Sequence, residues 1–295
     1  MFKIIYRYSN FCLVLVIFIG NTLFSFSQES WETFVVNKDK GIMSIAVDME
    51  LSYGKPNYKN LLIVGTNTNK CLKNGYPTNE GLEELYVFSD SIATTLDKLT
   101  KSKLAGILTY QCAGFDVFYV KDTLNLRESL DTLYSKEFRN RKNYLFIDHD
   151  KQWNYYNNTL YPKDISEDFF INHELLNQMV FEGDRLSEPR KIRHWFYFDT
   201  ERRKEKFIEK IKNLNFAIDS VNYKKDKKFT YDSFGFAREK PFPFEVQISR
   251  KDSINPASIS KLTDMLQNFS RFFSGKYDGW GADTILEKQM SDDKK

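Results

Sequence analysis

Histidine is scarce, with three in 295 residues. Few side chains are therefore present of the kind that titrates near neutrality and most often serves as acid, base or metal ligand. Cysteine also numbers three, too few for a disulfide framework or a thiolate-rich zinc cluster. Seven prolines and thirteen glycines exclude collagen-like and Pro/Gly-rich low-complexity chains. An excess of one charge is missing too: 43 basic residues face 40 acidic ones, for a formal charge of +3. Lys3 and Arg7 supply two of those positive charges at the extreme N-terminus, and the halves on either side of Lys163 are each nearly neutral. No global field draws in a nucleic acid, and no solenoid repeat is evident. What is present is a core-forming composition, 41% hydrophobic and 16% aromatic, in a chain long enough for two domains.

The one long apolar run lies at the start. Lys3 and Arg7 precede the run at 11–20, and Ser25-Phe26-Ser27 places small residues where a signal peptidase reads them. Residues 1–27 therefore read as a cleaved secretory signal peptide. Asn21 and Thr22 interrupt the run short of the roughly twenty apolar residues that a span needs, so no membrane span is expected after cleavage. Cys12 sits at the front of the run, not behind it where lipidation would need it. The expectation is an exported protein, periplasmic or extracellular. In that compartment Cys71 and Cys112 either pair or remain as two partly buried thiols.

Alternating apolar and polar residues at 31–36 and 42–51, around Lys38-Asp39-Lys40-Gly41, predict a β-hairpin, and 61–66 a third strand. The period then changes. Leu82, Leu85, Ile92, Leu96 and Leu99 fall at helical spacing behind a Thr78 or Asn79 cap. Strands at 104–111 and 115–121 flank Ala113-Gly114 as a second hairpin, followed by a helix at 124–138 and a short strand at 144–147. The segment 153–162 closes this unit, and a helix is expected at 168–181. Farther on come a strand at 191–198, a helix at 200–214 and a strand at 216–223. A Lys-rich loop leads to a strand at 244–249, and Asn255-Pro256 opens a last helix. The fold class is α+β, in two domains with mostly antiparallel sheets. We place the domains at 28–163 and 164–288, with a polar tail at 289–295. The β-α-β-β-α order of the second is the core of a ferredoxin-like fold, its final strand short or drawn from residues after Trp280.

Two stretches carry family resemblance. Gly75-Tyr76-Pro77 before Glu80, with Asp150-Lys151-Gln152-Trp153, Tyr156 and Leu160-Tyr161-Pro162, resembles family 695 of the domains of unknown function, which implies no reaction. Glu182-Gly183-Asp184, the strand from Arg190, Asn215-Phe216-Ala217-Ile218 and above all Tyr277-Asp278-Gly279-Trp280-Gly281 resemble the regulator of ribonuclease E activity B (RraB) family. That resemblance implies a small ferredoxin-like domain that binds and inhibits an RNA-degrading enzyme without doing chemistry itself. The export signal, and a short mixed-charge tail where that family's best-known members carry a long acidic one, argue for the fold over that particular partner.

For binding, Tyr277, Asp278, Gly279 and Trp280 form a candidate edge: two large amphipathic rings between flexible glycines. The competing reading puts Trp280 beneath the last helix. For chemistry, Asp148-His149-Asp150 is the arrangement closest to a general base beside a carboxylate. His173-Glu174 lacks the second zinc-ligating histidine, because Asn177 stands in its place. His194 reads as covering a sheet edge. No G-x-S-x-G occurs. Arg202, Arg203, Lys204 and Lys206 share their helix with Glu201, Glu205 and Glu209, which makes a solvated face. The sequence thus indicates no catalytic residue, no metal and no cofactor. It points to a binding or regulatory protein with a protein partner, against a hydrolase built on His149 or converging carboxylates.

Overall fold

The computed structural model describes residues 30–233 and 236–286; the leader at 1–27 and the tail at 289–295 lie outside them. In the first half, β1 (Trp31–Lys38), β2 (Gly41–Asp48), β3 (Asn60–Asn67), β4 (Ser102–Tyr110), β5 (Ala113–Val120) and β6 (Asn143–His149) form one sheet. Its order is β1-β2-β4-β5-β3-β6, antiparallel throughout. Helices α1 (Asn79–Leu99) and α2 (Leu126–Glu137) cover one face, burying Leu62 and Phe118 against Phe88, Ile92 and Leu130. Thr78 is the N-cap of α1, its hydroxyl accepting from Gly81 N–H at 3.2 Å. The other face is covered by Trp153, Tyr156 and Leu160, in a segment that includes a π-helical turn at Tyr156–Leu160.

The second hairpin turns two residues earlier than its glycine suggests. Gln111 and Cys112 take positive φ, 50° and 62°, and Ala113 already pairs with Tyr110. The turn is held from outside: Cys112 N–H donates to Gly75 O at 2.8 Å, and Cys112 is bonded to Cys71, with Cα atoms 5.8 Å apart. Side chains tolerate this left-handed turn because other chain segments fix it.

Helix α3 (Glu167–Phe181) links the halves. In the second half, β7 (Arg190–Phe198), α4 (Glu201–Ile211), β8 (Ala217–Tyr223), β9 (Lys228–Ser233), β10 (Phe236–Pro241), β11 (Phe244–Asp252), α5 (Pro256–Phe272) and β12 (Lys276–Ala282) follow. The main sheet runs β12-β7-β11-β8, the order of a split βαβ unit. Two details differ from the sequence pattern. The Lys-rich loop contains the hairpin β9–β10, whose charges hide its alternation. The final strand does not follow Trp280 but contains it, because Tyr277–Gly281 itself pairs with β7.

The core of this second half does not stop at its own elements. Val35 of β1 and Tyr76 are buried in the same cluster as Leu176, Phe196, Phe207 and Leu266. No helix among the described residues is long and apolar enough to cross a membrane.

Candidate functional site

Strand β12 lies at the margin of its sheet. A register shift at Asp278 and Gly279 bends it, and Gly279 takes φ +116°, where an added Cβ would meet open space. The four residues of the candidate edge point different ways. Tyr277 turns inward, its hydroxyl 2.9 Å from His194 Nδ1, and burial pushes that phenol well above its ordinary value. Trp280 donates its indole N–H to Asn172 Oδ1 of α3 at 2.7 Å. Asp278 is held by Lys227 at 2.9 Å. Gly279 and the backbone of β12 remain outward, beside the helix-free sheet face that carries Arg193, Trp195 and Gln247. A Cβ on Gly281 would come 3.3 Å from Trp195, so the glycine lets that ring lie across the strand.

The histidines take three different roles. His194 does not cover an edge. It is fully buried among the inward residues of β7, and burial, with the Arg250 charge nearby, lowers it to about 3. His173 is also buried, and its Nδ1 accepts from Val35 N–H at 3.1 Å. Burial lowers it to about 4, consistent with the neutral form that this bond needs. Asn177, where a zinc signature would hold histidine, accepts from the Ser44 hydroxyl at 2.8 Å. Both residues thus tie α3 to the first sheet.

His149 is exposed, 3.3 Å from Asn60 Oδ1, and its neighbours are engaged elsewhere. Asp148 accepts from the backbone N–H of His149 at 2.7 Å. Asp150 accepts from the Tyr119 hydroxyl at 2.7 Å and from the N–H groups of Asn154 and Tyr155 at 2.8 and 2.9 Å. Burial would raise the Asp150 carboxyl, but the Tyr155 N–H, the Tyr119 hydroxyl and Asn154 hold it below its ordinary value. This carboxylate fixes the Trp153 turn, where Trp153 stacks on Tyr119 at 3.6 Å.

The basic cluster is largely neutralised in place. Lys204 pairs with Glu201 at 3.0 Å, Lys228 with Glu239 at 3.2 Å, and Arg203 with Asp199. Lys227 sits over the Tyr197 and Phe229 rings at 4.4 and 4.6 Å.

Two clefts lie near the seam between the halves. One, of about 440 Å³, is bounded by Lys40, Asn74, Gln111, Asp184 and Arg185. Asp184 is not free there, since it forms a two-pronged pair with Arg190 and caps Leu186 N–H at 2.7 Å. The second, of about 280 Å³, lies between α1 and α3 over the first sheet and includes Asp116. Sequence reading missed this residue. The only signal was an acid on the inward register of β5, between Gly114 and Phe118.

No match to a curated protein was found. Among solved structures, an unknown protein from Galdieria sulphuraria is 9% identical with a TM-score of 0.20, over 77% of this chain and 99% of its own. A candidate glycine cleavage system transcriptional repressor is 9% identical with a TM-score of 0.21, over 77% of this chain and 100% of its own. Neither likeness carries an argument at those scores. Family models are more informative: residues 29–161 match a family of unknown function, DUF695, and residues 171–282 match RraB, the regulator of ribonuclease activity B, so each half carries the mark of a different family.

Proposed function

We propose that this is an exported, non-enzymatic protein that binds and regulates another protein through its second half. The observation that carries the reading is the match of residues 171–282 to a regulator family. Two features support it physically. The β12 margin offers backbone groups for strand addition, and beside it Trp195 and Arg193, residue types enriched at binding hot spots, lie partly exposed on a helix-free sheet face. Tyr277 and Trp280 act from behind, by holding the strand in place through His194 and Asn172. An exported chain would meet its partner in the envelope or outside the cell, so the ribonuclease of the family's name is the alternative partner.

The test places photo-cross-linkers at Lys276 and Gly279, with a control at Lys136 on α2, in cells expressing the full chain. One protein trapped from both β12 positions and not from α2 is expected, and Trp195→Ala with Arg193→Glu should abolish it. Trapping from the control alone, or no change in the double variant, would sink this surface. Intact mass after fractionation tests export: a species starting near Gln28 outside the cytosol is expected, and full-length chain in the cytosol would redirect the search to a ribonuclease.

A further inference from the structure

The cleft between α1 and α3 has a floor of small and polar side chains set in cross-strand rows. Thr33, Ala46, Ile107 and Asp116 form one row, and Ser44, Thr109 and Gly114 the next. Leu82, Leu85 and Phe88 of α1 supply an apolar wall, and Tyr86 and Phe181 stand at the rim, 60% and 39% exposed. At the floor, Asp116 is only 3% exposed, and its Oδ2 has no hydrogen-bond partner among the described residues. A buried carboxylate oxygen without a donor is costly, and native proteins seldom leave one unless a ligand or water completes it. Among the described residues no lysine, arginine or histidine lines the cleft, so an anion finds no cationic partner there, whereas a donor of positive charge finds the missing half of a pair.

We propose that this cleft binds a primary alkylammonium group, with Asp116 accepting from the ammonium and the α1 wall packing its aliphatic stem. The volume suits a short chain: at roughly 30 Å³ per water, it has room for several heavy atoms. Ser44 and Thr109 lie on the same floor, and their hydroxyl oxygens can accept from the other two N–H groups. The groups facing Asp116 set its response to pH. Burial comes first in raising it, the Ser89 hydroxyl opposes that and the Asp90 charge on α1 adds to it, and together they hold it at about 6. Tyr134 of α2, itself pushed up by burial, is a neutral phenol at that pH, and α3 contributes only Asn177 and Phe181. An empty site is thus progressively protonated below about pH 6 and would then lose its attraction for a cation.

The floor and apolar wall of the cleft belong to the half matched to a family without assigned function, with Asn177 and Phe181 of α3 beside them, and the proposal stands whether or not the β12 surface binds a protein. The experiment titrates the full chain with n-butylammonium, using amide NMR shifts, and with n-butanol and butyrate as shape controls. Saturable shifts at Gly114 and Thr109 are expected for the ammonium alone, with affinity falling about tenfold from about pH 7.5 to about pH 5. Asp116→Asn should lose at least about tenfold in affinity. Ala46→Leu, which fills the cleft and leaves the carboxylate alone, should block binding even if the first variant folds poorly. Competition by N-acetyl-lysine amide would assign the ammonium to a protein side chain, and its failure to compete would assign it to a free amine. Equal binding of butanol, an unchanged affinity across that pH range, or binding unaffected by both substitutions would overturn the site.

Discussion

The first sheet is covered on both faces, by α1 and α2 on one side and by the Trp153–Leu160 segment on the other. The second carries its helices on one face and turns Arg193, Trp195 and Gln247 to the other. The difference shows in how polar groups are used. In the first half, charged groups fix irregular chain, as Asp150 does for the Trp153 turn, or sit inside with one oxygen unpartnered among the described residues, as Asp116 does. In the second they form rows across the helix-free face, as in Tyr197, Glu245 and Asn222, with Phe229 and Lys227 laid over Tyr197. A doubly covered sheet suits enclosure of a small group, and a one-sided sheet suits contact with a macromolecule. The two halves are nevertheless not independent, because Val35 and Tyr76 of the first are buried in the core of the second.

That last point is the easiest to break. Asp184→Ala leaves Arg190, 6% exposed, without its partner and removes the acceptor for Leu186 and Ile285 N–H; a loss of about 4 kcal/mol is expected. Followed by urea denaturation with separate probes in each half, the loss should move one shared transition. Two transitions, with only the second displaced, would show that the halves unfold separately.

Acid is the next largest perturbation, and it separates the halves by sign. His173 and His194, lowered to about 4 and about 3, favour the neutral ring when folded. Their contribution is therefore full above the unfolded value near 6.5 and is lost as pH falls toward those folded values. Asp116, raised to about 6, works oppositely, its contribution being lost as pH rises through 6. Between about pH 7 and about pH 4 the histidines dominate, with a net loss of about 3 kcal/mol. His194→Gln with His173→Gln should flatten the profile, and an unchanged acid slope in that variant would remove the histidines as its cause.

Replacing Cys71 and Cys112 by serine should cost about 2 kcal/mol. Hydrogen exchange should rise first in the loop from Thr68 to Pro77 and at Gln111, so the effect begins in the first half. Smallest is Trp280→Phe, which keeps an aromatic ring but loses the indole N–H bond to Asn172, at about 1 kcal/mol. Exchange protection should weaken in β12 and leave α1 and α2 as they were.

Much of this architecture was legible because periodicity reports burial. The switch from alternate to helical spacing located α1, and Asn255-Pro256 located the start of α5, where Asn255 accepts from Ser258 N–H at 3.0 Å. What escaped was set by distant partners. Gln111 and Cys112 turn the chain because the Cys71 bond and Gly75 hold them, against the local preference for Ala113-Gly114. The β9–β10 hairpin was hidden by its charges, of which Lys228 pairs with Glu239 across the hairpin and Lys240 with the distant Asp199. Asp116 was invisible because a single acid in a strand looks solvent-facing until register assigns its face. Tyr277 and Trp280 were read together as a candidate edge, but only the fold shows that their polar atoms turn inward to His194 and Asn172.

The bond from Val35 N–H to His173 has a consequence for how this chain avoids sticking to itself. Strand β1 is the outermost strand of the first sheet, and on its free side an imidazole and a helix occupy the place where another molecule's strand would pair. Cut before α3, the first half would bare that side and is expected to self-associate. The second half thus guards the solubility of the first, quite apart from whatever either one binds.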